Sequence, residues 1–145
     1  MNFKIVMMLA GAGVLAACVT TASGISFGSN SSEYANDNEC DDPRFTGGGM
    51  ATSLHVNNIG KDARDCQTLF SAQRIRLART QDQWDTAQCR SIDYGNNSST
   101  WARDNECDDP RFTGPGVDEL LVFEDLKSDA ADCRALCNAG EVWLK

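Results

Sequence analysis

The sequence predicts a small α+β protein: a disulfide-stapled tandem repeat built from short strands and short helices. Three observations carry this expectation. An eleven-residue block, Asp37 to Gly47, recurs letter for letter as Asp104 to Gly114. Shifting the chain by 67 aligns Ile25–Leu77 with Ile92–Leu144 without a gap, with 26 of 53 positions identical. Each copy also carries one cysteine in the acidic block and a second in a later Asp-x-x-Asp-Cys ending, Asp62 to Cys66 or Asp129 to Cys133. A copy of about 50 residues buries too thin a core to stand without such staples. Identity is uneven: from Met50 to Lys61 only Leu54 matches its counterpart, Leu121. A physical constraint therefore holds the acidic block while the following loop drifts.

In chain order, residues 1–17 read as an address. Lys4 supplies a charged start, and the apolar run after it is too short to span a bilayer comfortably. It ends in Leu15-Ala16-Ala17-Cys18, which resembles the bacterial lipoprotein signal with its small-residue cleavage site directly before a cysteine. The resemblance implies acylation of Cys18 with diacylglycerol and palmitate, a lipidated tether over 18–24, and a membrane partner through the anchor. Val19 follows Cys18 where Asp would mark inner-membrane retention, so an outer-membrane location, on its periplasmic face or at the cell surface, is expected. Several acyl chains give stable anchoring, at about 0.8 kcal/mol per buried methylene. Cleavage would remove one Lys and no acid. That leaves 12 basic against 21 acidic side chains, a charge of about −9. Such a balance excludes nucleic acid, whose phosphates need Lys and Arg.

Repeat 1 is placed at 25–77, a connector at 78–91 and repeat 2 at 92–145. Ile25-Ser26-Phe27 and Ile92-Asp93-Tyr94 alternate apolar and polar as short strands do, and Gly28 and Gly95 end them. Asn30-Ser31-Ser32 and Asn97-Ser98-Ser99 offer N-caps for a helical turn carrying Tyr34 or Trp101. Pro43 and Pro110 stop regular structure, Phe45 and Phe112 read as core anchors, and the glycines after them as turns. Asp62 and Asp129 open a helix whose inner face carries Cys66 and Leu69, or Cys133 and Leu136, with Gly140 ending the second. Residues 75–77 and 142–144 close each copy as strands. The connector is polar, with a helical turn around Trp84.

Of seven cysteines, lipidation of Cys18 leaves six, an even number that reads as disulfides in an exported chain. Six allow fifteen pairings. The shared positions favour Cys40–Cys66 and Cys107–Cys133, which leaves Cys89–Cys137 to pin the connector onto repeat 2. A zinc site is disfavoured by the absence of C-x-x-C and by a single histidine, His55, which aligns with Val122 and reads as a surface residue.

The acidic block is the one chemically specific signal. Asp37, Glu39 and Asp41 crowd around Cys40, and the bridge to Cys66 brings Asp62 and Asp65 to the same place. Asp104, Glu106, Asp108, Asp129 and Asp132 repeat the set in the second copy. Like charges so packed need a cation or separate faces. A hard divalent cation takes six to eight oxygens, and calcium, about two ions per chain, is the expected occupant. The D-x-x-C-D and D-x-x-D-C segments resemble the calcium sites of Lin-12/Notch repeats and, more loosely, of low-density-lipoprotein receptor class A repeats. In those families acidic side chains beside disulfides hold calcium as a structural element. Here each repeat has one bridge where those families have three. A reading without metal makes Asp62 and Asp129 helix caps, and pairs Asp42 with Arg44 and Asp109 with Arg111. It leaves unexplained why the other acids persist in both copies.

No nucleophile–base pair is present, and identical acidic sets in both copies suit a repeated structural element better than an active site. A non-enzyme is expected. Trp84, Trp101 and Trp143 are assigned to the core. The expected role is a binding or scaffolding module of the cell envelope with an envelope protein or polysaccharide partner. The alternative is an inhibitor or accessory factor of an envelope or host hydrolase.

Overall fold

The computed structural model describes residues 24–145; Cys18 and the anchoring segment lie outside the described residues. The protein is a small α+β fold stapled by three disulfides. Repeat 1 contributes β1 (Phe45–Gly47), β2 (Ser53–His55), α1 (Ala63–Ser71) and β3 (Ile75–Leu77). Repeat 2 contributes β4 (Phe112–Thr113), β5 (Leu120–Val122), α2 (Ala130–Ala139) and β6 (Trp143–Leu144). The bridges are those the repeat implies: Cys40–Cys66, Cys107–Cys133 and Cys89–Cys137. On the chain-entropy account a closed loop of 26 residues stabilises by about 3.5 kcal/mol and one of 48 by about 4 kcal/mol.

In each copy the acidic block turns at the proline and leads into a strand that pairs antiparallel with the closing strand. Phe45 faces Leu77 in β1–β3, and Phe112 faces Leu144 in β4–β6. Helix and sheet close over separate apolar clusters, one containing Phe27, Phe45, Leu69 and Ile75, the other Tyr94, Phe112 and Val142.

The strands expected at 25–27 and 92–94 do not form. Their alternation serves single anchors: Phe27 stacks on Phe45 at 5.5 Å and Tyr94 on Phe112 at 5.7 Å. The Arg44 and Arg111 side chains donate to the Ser26 and Asp93 carbonyls. Gly28 and Gly95 recur because the chain passes close to another backbone there; a Cβ on Gly28 would lie 2.0 Å from the Gly60 carbonyl oxygen. Trp143 is buried, and its indole N–H donates to the Arg79 carbonyl at 2.7 Å. Trp101, at 61% exposure, is not a core residue, and its counterpart Tyr34 is similarly exposed. The connector forms two 3-10 turns, Gln81–Gln83 and Thr86–Ser91, on either side of Trp84.

The drifting loop joins the two repeats. β2 and β5 pair antiparallel with Leu54 opposite Leu121. The flanking bonds are symmetric under the 67-residue shift: Val56 N–H donates to the Glu119 carbonyl and Phe123 N–H to the Thr52 carbonyl. The one identity within the drifting segment therefore sits on a pseudo-twofold axis. A residue on such an axis meets its own counterpart, so it must suit itself. Its neighbours meet non-equivalent partners and are free to diverge. Among the described residues no helix is long and apolar enough to cross a membrane.

Candidate functional site

Residues 36–42 form a loop wrapped against the start of α1, and residues 103–109 do the same on α2. Asn36 and Asn38 adopt left-handed backbone, as do Arg103 and Asn105. Asn enters this region more readily than most residues, which suits the shared Asn38/Asn105 position. The turns aim the N–H groups of the loop at carboxylates on the helix. Asp65 Oδ2 accepts from Asp37 N–H at 2.9 Å, and Asp62 Oδ2 from Asp41 N–H at 2.9 Å. In repeat 2, Asp132 Oδ2 accepts from Asp104 N–H and Asp129 Oδ2 from Asp108 N–H. Asp37 and Asp104 turn back onto Glu39 and Glu106 N–H.

The metal-free assignment of Asp62 and Asp129 as helix caps is not what forms. Both occupy the cap position, but neither side chain makes a well-formed capping bond, although the Asp132 N–H lies near enough to Asp129 to favour its charged form. Asn30 and Asn97 cap instead, their Oδ1 atoms accepting from Arg64 and Ala131 N–H at 2.8 and 2.7 Å. The turns carrying Tyr34 and Trp101 are capped from the same tripeptides, by Ser32 and Ser99. Asp42 and Asp109 pair with Arg44 and Arg111 as that reading holds, and also accept from Gly60 and Lys127 N–H.

Asp41, Asp62, Asp108 and Asp129 remain. All four are at least 96% buried, and each keeps one buried carboxylate oxygen without a hydrogen-bond partner: Asp41 Oδ2, Asp62 Oδ1, Asp108 Oδ2 and Asp129 Oδ1. Burial, reinforced by neighbouring carboxylates, pushes Asp41 up to about 6 and Asp62 to about 7. The same causes push Asp108 up to about 7 and Asp129 to about 6. Uncompensated buried carboxylates on both sides of a disulfide are what a bound cation would relieve.

A carboxylate oxygen of Asp62 lies within 4.8 Å of the sulfurs of Cys40 and Cys66, and one of Asp129 within the same distance of those of Cys107 and Cys133. The sulfurs are bonded to each other and offer no thiolate, so the usable donors are carboxylate oxygens. The structure brings Asp37, Asp41, Asp62 and Asp65 into mutual electrostatic contact. Asp65 and Asp132 hold loop amides with one oxygen, and Glu39 and Glu106 are exposed at the rim.

Each site opens to a cleft. In repeat 1 it measures about 580 Å³ and is lined by Glu33, Tyr34, Asp37, Glu39, Asp41 and His55, with neighbouring loop residues. His55 is therefore not simply a surface residue: half-buried in the cleft wall, it accepts from Asn57 N–H through Nδ1. In repeat 2 the cleft measures about 240 Å³ and is lined by Trp101, Asp108, Asp118, Leu120, Val122 and Asp125. Asp118 and Asp125 were not legible as site residues, because they fall where the copies disagree. The available signal was the disagreement itself: acids at 118, 119, 124 and 125 stand opposite Ala51, Thr52, Asn57 and Asn58. Comparison with known proteins finds no matching family model, no similar curated protein and no similar solved structure.

Proposed function

We propose that the protein is a cell-envelope lipoprotein whose two repeats each bind one calcium ion, and that it serves as a binding or scaffolding module at the outer membrane. The observation that carries the metal reading is the pair of buried, unpartnered carboxylate oxygens in each repeat, on Asp41 and Asp62 and again on Asp108 and Asp129. A hydrogen-bonded turn built for its own sake would leave no such oxygens buried. An all-oxygen donor set without thiolate or imidazole suits a hard cation rather than zinc. Calcium is favoured over magnesium because it accepts many protein oxygens in irregular geometry, whereas magnesium retains its waters. Asp37, Glu39, Asp41, Asp62 and Asp65 would supply the first ion, and Asp104, Glu106, Asp108, Asp129 and Asp132 the second.

Calorimetric titration of the oxidised chain with calcium tests this. Two ions per chain are expected, falling to one in Asp62→Asn and in Asp129→Asn; a flat titration overturns the metal reading. The anchor rests on Leu15 to Cys18. Intact mass of membrane-fraction protein should show an acylated Cys18, and a free thiol there would refute it. Scaffolding is supported by the absence of a nucleophile–base pair in the sequence and by two like sites held on one pseudo-symmetric frame. Weak retention on isolated envelope polysaccharide is the expected result. A tight stoichiometric complex with a hydrolase would favour the inhibitor instead.

A further inference from the structure

We infer that Asp118 and Asp125 are additional ligands of a hard divalent cation in repeat 2, so that this repeat holds the tight site and fills first, leaving repeat 1 the weaker, open one. The inference rests on the reading of the acidic clusters as cation sites and goes beyond it by adding two ligands and an order of filling.

The two clefts are the same place in two copies. Under the 67-residue shift Tyr34 corresponds to Trp101, Asp41 to Asp108, Ala51 to Asp118 and Asn58 to Asp125, and all eight line their respective clefts. The substitutions are one-sided. Where repeat 1 places a methyl group and a neutral amide, repeat 2 places two carboxylates. They face Asp108, which is 96% buried and whose Oδ2 has no partner. The cleft shrinks in step, from about 580 Å³ to about 240 Å³.

The added carboxylates are positioned. Asp118 Oδ1 accepts from Leu120 N–H at 2.6 Å, which fixes the side chain at the start of β5. The nearby Asp118 carboxylate is the main influence on the Glu106 carboxyl and pushes it up. In repeat 1, Ala51 stands at the position of Asp118, so Glu39, the counterpart of Glu106, has no carboxylate at that position beside it. Asp125 closes the 3-10 turn Phe123–Asp125 and is half-buried, so the pairing of β5 with β2 holds both acids in place. The affinity of oxygen sites for calcium rises with the number of charged ligands and with rigidity. Two more carboxylates on a paired strand and its turn should tighten repeat 2 on the order of tenfold or more over repeat 1.

Trp101 in the repeat 2 cleft provides an optical reporter, since a lanthanide bound beside an indole is sensitised by it. The experiment titrates the oxidised full chain with terbium under tryptophan excitation, and with calcium in a calorimeter. The expected result is a first, tight step that carries most of the luminescence and is lost in Trp101→Phe, then a second step at least tenfold weaker. Asp118→Asn with Asp125→Asn should weaken the tight step to about the affinity of the other, which is itself unchanged. The reciprocal Ala51→Asp with Asn58→Asp should tighten the second step at least tenfold, keeping the test alive if the first pair lowers stability. Two equal steps in the wild-type protein, or a tight step that survives the double substitution, would overturn the assignment of Asp118 and Asp125 while leaving cation binding in place. No luminescence and no heat in the wild type would overturn both readings.

Discussion

Asp41 and Asp42 are adjacent, almost wholly buried carboxylates, yet replacing them should move stability in opposite directions. Asp42 accepts from the Arg44 guanidinium, from Arg44 N–H at 3.0 Å and from Gly60 N–H at 2.8 Å. Asp42→Ala leaves two backbone donors without acceptors, at about 1–3 kcal/mol each when buried. Both are only part-buried and Arg44 can turn to solvent, so a total of about 2–4 kcal/mol is reasonable. At roughly 4 °C per kcal/mol for a chain of this size, melting should fall by about 8–16 °C. Asp41 Oδ2 has no partner to lose. Asp41→Asn keeps the backbone bond from residue 41 to Asp62, removes a buried charge and adds an amide that can donate to a neighbouring carboxylate. In chelator near neutral pH it should stabilise by about 1–2 kcal/mol, a figure discounted for the solvated carboxylates nearby. The sign follows from the titration. Asp41 is raised from 3.8 to about 6, so the folded state binds more protons than the unfolded one between those values, and stability falls as pH rises through the folded value. The advantage of Asp41→Asn should therefore be absent near about pH 4 and complete by about pH 8. Calorimetric melting in chelator across that range measures it. If Asp41→Asn destabilises the metal-free protein as Asp42→Ala does, Asp41 is an ordinary structural acceptor and the reasoning fails.

Other perturbations test the frame. Leu54→Ala and Leu121→Ala remove buried side chains from the axis and should each cost about 2–3 kcal/mol, the low end for leucine because open space flanks both. Since the two face each other, chemical denaturation of the double variant should show less than the summed loss. Lys145 is buried with its Nζ unpartnered, and burial lowers its pKa from 10.5 to about 8. The folded state then binds fewer protons than the unfolded one between those values, so wild-type stability should rise across that window. Lys145→Met should raise the melting temperature at neutral pH and lose its advantage above about pH 10.5.

The parts readable from sequence are those where both copies obey the same constraint. The three bridges, Phe45 and Phe112, both helices and the closing strands follow from repetition plus ordinary propensity. Gly140 does too, since it ends α2 at φ +77. The pairing of β2 with β5 was hidden because backbone bonds across an axis constrain only Leu54 and Leu121, and a matched leucine in a drifting loop carries little signal. The cap positions, Asp62 and Asp129, are as expected, but the side chains that bond the helix amides are Asn30 and Asn97, 34 residues away, a contact no local pattern encodes. Of the site, Asp41, Asp62, Asp108 and Asp129 were visible as repeated acids. Their separation from Asp42 and Asp109, which the arginines neutralise, depends on burial and partners. Asp118 and Asp125 required the superposition of the two clefts.

The most direct test of the central claim is thermal melting of the correctly oxidised chain in calcium and then in excess chelator. An ion that binds only the folded state adds RT ln(1 + [L]/Kd), about 2.7 kcal/mol at a hundredfold excess over Kd. Each saturated site should then raise melting by about 10 °C, reversibly and without change in the disulfides. Superimposable melts in millimolar calcium and in chelator would contradict the account. The acidic blocks would then be turns that tolerate their buried charge.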